Sequence, residues 1–268
     1  MATVPASTQE SDLELALALA DAADEITRRR FRAHDLVVET KPDLTPVSEA
    51  DRAVEQAMRE VLAARRPGDG VFGEEYGDGG AAEGARRWIV DPIDGTKSYV
   101  RGVPAWATLL ALEEGGQVTT AVVSAPALGR RWWAARGAGA FSRDVLDGEP
   151  RRLRVSAVRE LADAQLCFGG LEEWRLTGRL EALVQLSSWC WRTRGYGDFW
   201  SYMLVAEGAV EIGCDPTVSL WDLAAPMLIV EEAGGRFTDL GGAVTPSGGS
   251  AVATNGLLHE TVLAVLGR

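Results

Sequence analysis

Residues 88–96 read Trp88-Ile89-Val90-Asp91-Pro92-Ile93-Asp94-Gly95-Thr96, a buried-type strand that runs straight into an acid. Pro92 has no N–H to give to a ladder, so the strand is expected to stop there. Asp91 and Asp94 are three residues apart and can converge on one point if the chain turns. Gly95 permits close backbone approach to a ligand. Gly95 and Thr96 are placed to open a helical turn whose free N–H groups would hold a phosphate.

Two more acidic stations lie at element ends. Gly73-Glu74-Glu75 follows the short strand Val71-Phe72-Gly73, and Trp221-Asp222 stands at the start of an apolar helix. Asp51 sits near the start of another helix, three residues after Ser48. Hard divalent cations prefer carboxylate and carbonyl oxygens, and Mg²⁺ typically combines a few protein acids with water and substrate phosphate. Acids gathered without a cation would repel one another and force protonation. Each station also has a plainer reading. Asp51 can serve the N-terminus of its helix, Asp222 can be an N-cap, and Glu74-Glu75 can be a solvated turn.

Working outward, Ser11 and Glu14 have capping-box spacing, with apolar residues at helical intervals up to about Phe31. A strand is predicted over 36–40, a loop over 41–47, and a helix from Ser48 to just before Pro67. Residues 76–87, rich in Gly and Ala, read as a surface loop. Strands are predicted at 105–112, 118–124 and 131–135, with a hairpin turn at 113–117. The basic stretch at 149–154 marks the expected division, with an N-terminal α+β part over 1–150 carrying most of the acids and a C-terminal α/β part over 151–268. In the latter, helices are predicted over 156–161, 172–186, 199–208 and 222–233, strands near 153, 166, 211–213 and 252–254, and a short terminal helix. No repeat is present, and a layered α+β sandwich is the simplest architecture.

Composition narrows the function. The chain has 268 residues, a formal charge of −12, 46% apolar and 25% charged residues. Such acidity argues against nucleic acids and anionic membranes as partners. No window of about 20 apolar residues is present. The segment 1–10 is a polar leader without signal-peptide features, so a cytoplasmic location is expected. Three cysteines without metal-ligand spacing read as reduced thiols. The two histidines, His34 and His259, have no partner spacing, which disfavours histidine-rich zinc sites and histidine-based nucleophile activation.

Taken in order, Gly73-Glu74-Glu75, Trp88 to Thr96, and Trp221-Asp222-Leu223-Ala224-Ala225 resemble the signatures of the inositol monophosphatase family, from Lys41 to Gly235. The resemblance implies an αβαβα sandwich, a homodimer, and Mg²⁺ at two or three ions per site, with Mn²⁺ an alternative. It implies that Glu74, Asp91, the Ile93 carbonyl, Asp94 and Asp222 ligate metal. Asp51 and Thr96, with Glu74, would be the catalytic positions, the first two orienting the attacking water. The Gly95 and Thr96 amides would bind phosphate. Hydrolysis of a small phosphate ester by in-line attack of water, without a phosphoenzyme, follows from the resemblance.

The segment Arg192 to Tyr202, with Tyr196-Gly197-Asp198-Phe199, resembles the histidinol-phosphate phosphatases of that family more than its inositol phosphatases. So do 41–46, 101–106, 131–136 and 251–255. The expected substrate is therefore L-histidinol phosphate, in histidine biosynthesis. Candidate substrate contacts are Asp94, Arg192, Tyr196, Gly197, Asp198, Asp215 and Asp222, with Tyr196 or Trp106 stacking on the imidazole. Alternatives are an inositol-1-phosphatase, a sugar bisphosphatase or phosphoadenosine phosphatase using Arg192 and Arg194 as a second anion pocket, a silent metal-binding scaffold, and a lipid-associated regulator.

Overall fold

The computed structural model describes residues 10–42, 44–79, 86–144 and 148–267. Most of the polar leader and the middle of the Gly- and Ala-rich loop, residues 80–85, lie outside the described residues. Helix α1, Asp12–Arg30, opens on the Ser11–Glu14 capping box. The ribbon of β1, Val38–Thr40, and β2, Pro46–Ser48, leads into α2, Glu49–Arg65. Strands β3, Gly70–Gly73, β4, Gly77–Asp78, and β5, Arg87–Asp94, precede the short helix α3, Thr96–Val100. Then come β6, Ala107–Glu114, β7, Gln117–Ala125, β8, Arg130–Ala135, β9, Gly139–Asp144, and β10, Arg151–Arg152. The chain continues through β11, Gln165–Phe168, α4, Leu171–Leu176, α5, Leu180–Trp189, β12, Arg192–Arg194, α6, Asp198–Ala206, and β13, Ile212–Asp215. It closes with α7, Leu220–Glu232, β14, Arg236–Thr238, β15, Ala251–Thr254, and α8, His259–Leu266.

Two sheets organise these elements. The larger has the order β10-β9-β8-β7-β6-β5-β3-β4, and the smaller β12-β11-β13-β15-β14. Strand alternation assigns the faces. On β5 and β6, Trp88, Val90, Leu110 and Leu112 point to α1 and α2, where they pack with Leu15, Leu19, Val54 and Met58. Ile89, Leu109 and Ala111 point the other way, into a cluster with Leu223, Leu228 and Ile229 of α7. The smaller sheet covers the far side of α6 and α7 with Phe237, Ala251 and Ala253. Its outer face carries Leu166, Ile212 and Val252 against Leu183 and Leu186 of α5 and Val262 and Leu266 of α8. The layers alternate α, β, α, β, α, as expected. Helix α7 is apolar all round because both sheets bury it. The division expected at 150/151 falls at the start of β10, the edge strand of the larger sheet, and the apolar cluster around α7 draws residues from both sides of it.

Three local expectations fail, each for a physical reason. Strand β5 does not stop at Pro92. A register irregularity between Asp91 and Asp94 absorbs the proline, Asp94 pairs opposite Ala107, and the Pro92 carbonyl accepts from Thr108 Oγ1 at 2.8 Å. The helix expected at 156–161 is absent. That backbone is tied to distant partners instead, Val155 N–H donating to Ala233 O and Val158 O accepting from Asn255 Nδ2 at 2.8 Å, and only a 3₁₀ turn, Leu161–Asp163, forms. The helix expected over 172–186 is two, α4 and α5. Between them the Thr177 hydroxyl turns back onto Glu173 O at 2.9 Å, competing with helix continuation.

Candidate active site

The acids scattered through the sequence meet where the two sheets and α7 converge. Parallel pairing of β3 with β5 sets Gly73 beside Val90, and the Glu74 N–H donates to Val90 O at 3.1 Å. Glu74 and Asp91 therefore leave the ladder side by side. The bulge after Asp91 keeps Asp94 on the strand and aims it at the same region. Asp91 is tied down by its own turn, its Oδ1 accepting from Ile93 N at 2.9 Å. Asp222 comes from the first turn of α7, in the helix layer between the two sheets. Its Oδ2 accepts from Ser219 N at 2.7 Å, so it is the third helical residue of a capping box rather than the cap itself. Carboxylate oxygens of Asp91, Asp94 and Asp222 lie within 4.8 Å of one another.

Their electrostatics follow from that crowding. Burial, then the fields of Glu74, Asp94 and Asp222, push the Asp91 carboxyl well above the usual range. Burial, then Asp198 and Asp222, do the same to Asp94. Burial and Glu74 lift Asp222 to about 7, against the hydrogen bond from Ser219. Three carboxylates in mutual repulsion, Asp91 buried and the others at least partly so, form the donor set of a hard divalent cation, and the residues fit that group. Glu74 is held at the rim by Lys41, whose Nζ lies 2.8 Å from Glu74 Oε1 and 2.7 Å from Glu75 Oε1.

Asp51 closes the capping box of its helix and also reaches Thr96. Its Oδ2 accepts from Ser48 N and Oγ at 2.8 and 2.6 Å, closing the capping box of α2, while Oδ1 faces Thr96 Oγ1 at 3.1 Å. Burial pushes its carboxyl up despite these bonds. Thr96 Oγ1 also lies 2.9 Å from the Ile93 carbonyl, and its single proton serves one acceptor at a time. Gly95, with φ +85°, starts α3, and a Cβ there would stand 2.9 Å from Ala105 O.

The second half of the chain closes the site through α6. The Phe199 N–H at its start donates to Asp94 Oδ2 at 2.6 Å, across 105 positions of sequence. Gly197 has φ +70° and ψ +176°, a conformation open essentially to glycine alone, and Asp198 sits in the left-handed region at φ +49°. Next to the acid cluster lies a cavity of about 180 Å³ lined by Asp94, Gly169, Glu173, Asp198, Asp215 and Asp222, among others, with no Arg or Lys in its lining. Burial and the neighbouring Glu173 raise Asp198 to about 6. Burial raises Asp215 to about 7, against its hydrogen bonds from Tyr202 and Gly169.

Of the candidate substrate contacts, Asp94, Asp198, Asp215 and Asp222 line this cavity, and Arg192, Tyr196 and Gly197 are not in its lining. Arg192 lies on the edge strand β12, and Tyr196 packs on Trp200 with ring centroids 5.4 Å apart. Trp106 is fully buried between Phe31 and Tyr99 and has no face to offer a substrate. Asp215 replaces an expected free carboxylate with a bound one: Oδ2 accepts from Tyr202 Oη at 2.5 Å and Oδ1 from Gly169 N at 2.8 Å.

Residue-by-residue reading missed two acids. Glu55, fully buried on α2, accepts from Glu75 N at 2.8 Å and from Arg59 Nε at 2.9 Å, bracing the loop that carries Glu74. Its spacing four residues after Asp51, on the same helix face, is a signal that was available. Glu173, on α4, has none, since Glu172-Glu173 looks like any solvated helix start.

Comparison with known proteins agrees with this geometry. A family model described as the inositol monophosphatase family matches residues 8–268. A histidinol-phosphatase of Mycobacterium tuberculosis is 60% identical, over 95% of this chain and 97% of that protein. One from Streptomyces coelicolor is 55% identical, over 95% and 96%. Among solved structures, the extragenic suppressor protein suhB of Bartonella henselae superimposes with a TM-score of 0.84 at 30% identity, over 94% of this chain and 96% of that one.

Proposed function

The chain belongs to the inositol monophosphatase family, and from that premise we propose that it hydrolyses L-histidinol phosphate to L-histidinol and phosphate, as a step of histidine biosynthesis, with Mg²⁺ as its metal. Membership makes it a phosphoric monoester hydrolase. The substrate reading rests on one observation above the rest: the cavity beside the acid cluster is lined by five carboxylates and no cation. Asp94 and Asp222 would be compensated by metal, but Glu173, Asp198 and Asp215 would repel a second phosphate and gain no opposite charge from a neutral polyol. The ammonium of histidinol phosphate offsets their charge. Arg192 and Arg194, the expected anchors of a second anion, are not in the cavity lining.

Asp91, Asp94 and Asp222, with Glu74 and the Ile93 carbonyl beside them, would hold two or three Mg²⁺ ions, or Mn²⁺ in their place. When bound, the metal supplies a lowered pKa to water and charge neutralisation to the phosphoryl group. The chain's own residues do the rest. The Gly95 and Thr96 amides, at the opening of α3, donate to phosphate oxygens. Thr96 Oγ1 takes the proton of the attacking water as it passes its own to Asp51 Oδ1, and burial raises the proton affinity of Asp51 above that of an ordinary carboxylate. Ser48 fixes the other Asp51 oxygen, so the pair is oriented before substrate arrives.

Exposed Val184 and Trp189 of α5 and Trp191 just before the edge strand β12, 50%, 44% and 67% exposed, support a homodimer built on this part of the surface. Three unpaired cysteines, two of them buried, support a cytoplasmic site of action. No helix among the described residues is long and apolar enough to cross a membrane.

Steady-state kinetics on histidinol phosphate, inositol-1-phosphate and fructose 1,6-bisphosphate test the proposal. The expected kcat/KM for histidinol phosphate exceeds the others by at least about tenfold, or ~1.4 kcal/mol of discrimination. Comparable turnover of inositol phosphate overturns the substrate and leaves the enzyme class standing.

A further inference from the structure

The five carboxylates lining the cavity are not equivalent. Asp94 and Asp222 belong to the metal cluster, and each also accepts from a backbone N–H, of Phe199 and Ser219. Asp215 has both oxygens engaged, by Tyr202 and by Gly169. Its role is to hold the Gly169-Gly170 turn that starts α4. Asp198 lies at the start of α6 in a left-handed conformation, with Lys97 as a nearby opposing charge. Glu173 remains. Its neighbour Glu172 points outward to Arg175 in an exposed ion pair. Glu173 instead folds back over the glycine turn, its carboxyl carbon 3.7 Å from where a Cβ on Gly170 would stand. Its carboxylate has no hydrogen-bond or ion-pair partner among the described residues, and it faces a cavity already crowded with negative charge.

A plain structural role explains this poorly. An acid in the first turn of a helix interacts with the helix dipole, but Glu172 already supplies one at the solvent side. A carboxylate without a partner that shares a cavity with other acids is repelled by them, and a cation entering that cavity would relieve the repulsion.

We propose that Glu173 is the specificity residue of this phosphatase, selecting phosphate esters whose leaving alcohol carries an ammonium group by pairing with that group inside the cavity. The inference rests on the histidinol-phosphate reading of the same site and deepens it. Asp215 acts through others here: it positions the turn from which Glu173 projects. Asp198, on the facing element, completes the negative surround.

The test compares wild type with Glu173→Gln and Glu173→Ala on three esters: histidinol phosphate, O-phosphoethanolamine and glycerol 2-phosphate. The first two leave as ammonium alcohols, and the third has an uncharged leaving group. Loss of a hydrogen bond to a charged group corresponds to about tenfold to a hundredfold in binding. KM for both cationic esters is expected to rise by about that factor in each variant, with kcat little changed. The change for glycerol 2-phosphate is expected to be much smaller than for the cationic esters, and thermal melts against wild type show independently that the variants are folded. Glu173→Asp recovers part of the cationic preference. Equal effects on charged and uncharged esters, no effect on either, or a wild type without preference for O-phosphoethanolamine over glycerol 2-phosphate overturns the proposal. The two readings fail separately. A wild type that prefers ammonium esters but turns over inositol-1-phosphate as well as histidinol phosphate refutes the named substrate alone. A wild type that prefers histidinol phosphate, with variants that keep that preference, refutes the role of Glu173 alone.

Discussion

Replacing Asp94 by Asn should raise the stability of the metal-free protein while abolishing its activity. The variant removes one charge from a group whose oxygens lie within 4.8 Å of one another. It keeps an oxygen to accept from the Phe199 N–H, so the start of α6 stays anchored. Two unit charges at the cluster's 4.8 Å limit repel by about 3.5 kcal/mol at an effective dielectric of ~20. The buried acids relieve part of this by holding protons, so about 1–3 kcal/mol is the expected gain near pH 8. At about 2 °C per kcal/mol for a chain of this size, the melting temperature in chelator rises by about 2–6 °C. Mg²⁺ at a hundred times its Kd adds about 2.7 kcal/mol to wild type, or ~5 °C; the variant loses most of that increment.

The pH dependence has a definite sign. Asp222 holds its proton to about 7, against 3.8 ordinarily, because of burial and Glu74. Between those values the unfolded chain releases protons that the folded chain retains, so metal-free wild type loses stability as pH rises through that window. The advantage of Asp94→Asn is therefore small near pH 4 and largest above pH 7. Thermal melts in chelator and in Mg²⁺, at both ends of the window, measure all of this. A variant that melts no higher than wild type in chelator near pH 8, or a wild type whose melting ignores Mg²⁺, would show that these acids are not a cation site.

Two further perturbations probe the surroundings. A Cβ on Gly73 would stand 2.1 Å from the buried Glu55 Oε1, so Gly73→Ala must push that carboxylate off the Glu75 N–H that it holds beside Glu74; kcat at saturating Mg²⁺ is expected to fall, with a loss of about 1–3 kcal/mol in urea unfolding. Trp191→Glu places a charge at an exposed residue just before β12, and if the proposed homodimer forms there, light scattering should find a dimer for wild type and a monomer for the variant; an unchanged mass would place any dimer contact elsewhere.

Much of the site was legible because its residues are chemically conspicuous and occupy element ends. Asp91 and Asp94 bracket a proline after an apolar strand, and Ser48 with Asp51 has the spacing of a capping box. The strand itself was harder to read. Pro92 argues for a stop, and only the bulge and Thr108, sixteen residues away, show how β5 carries Asp94 onward. The missing helix at 156–161 has the same cause, since its backbone partners, Ala233 and Asn255, are distant in sequence. Asp215 looked like a free substrate acid until Tyr202 and Gly169 were seen to occupy it.

From the sequence alone came the identity of the acids, the helix starts that position several of them, and the buried character of the strand that begins at Trp88. These are local matters, decided by side-chain chemistry and by periods of two or 3.6 residues. Only the folded chain decided which acids gather in one cluster, which carboxylates already accept hydrogen bonds, and that Glu173 lines the cavity without a partner among the described residues. Those depend on contacts between residues up to about 130 positions apart, between Asp91 and Asp222. Spacing along the chain cannot report such contacts, because packing of the layers, not local geometry, brings the residues together.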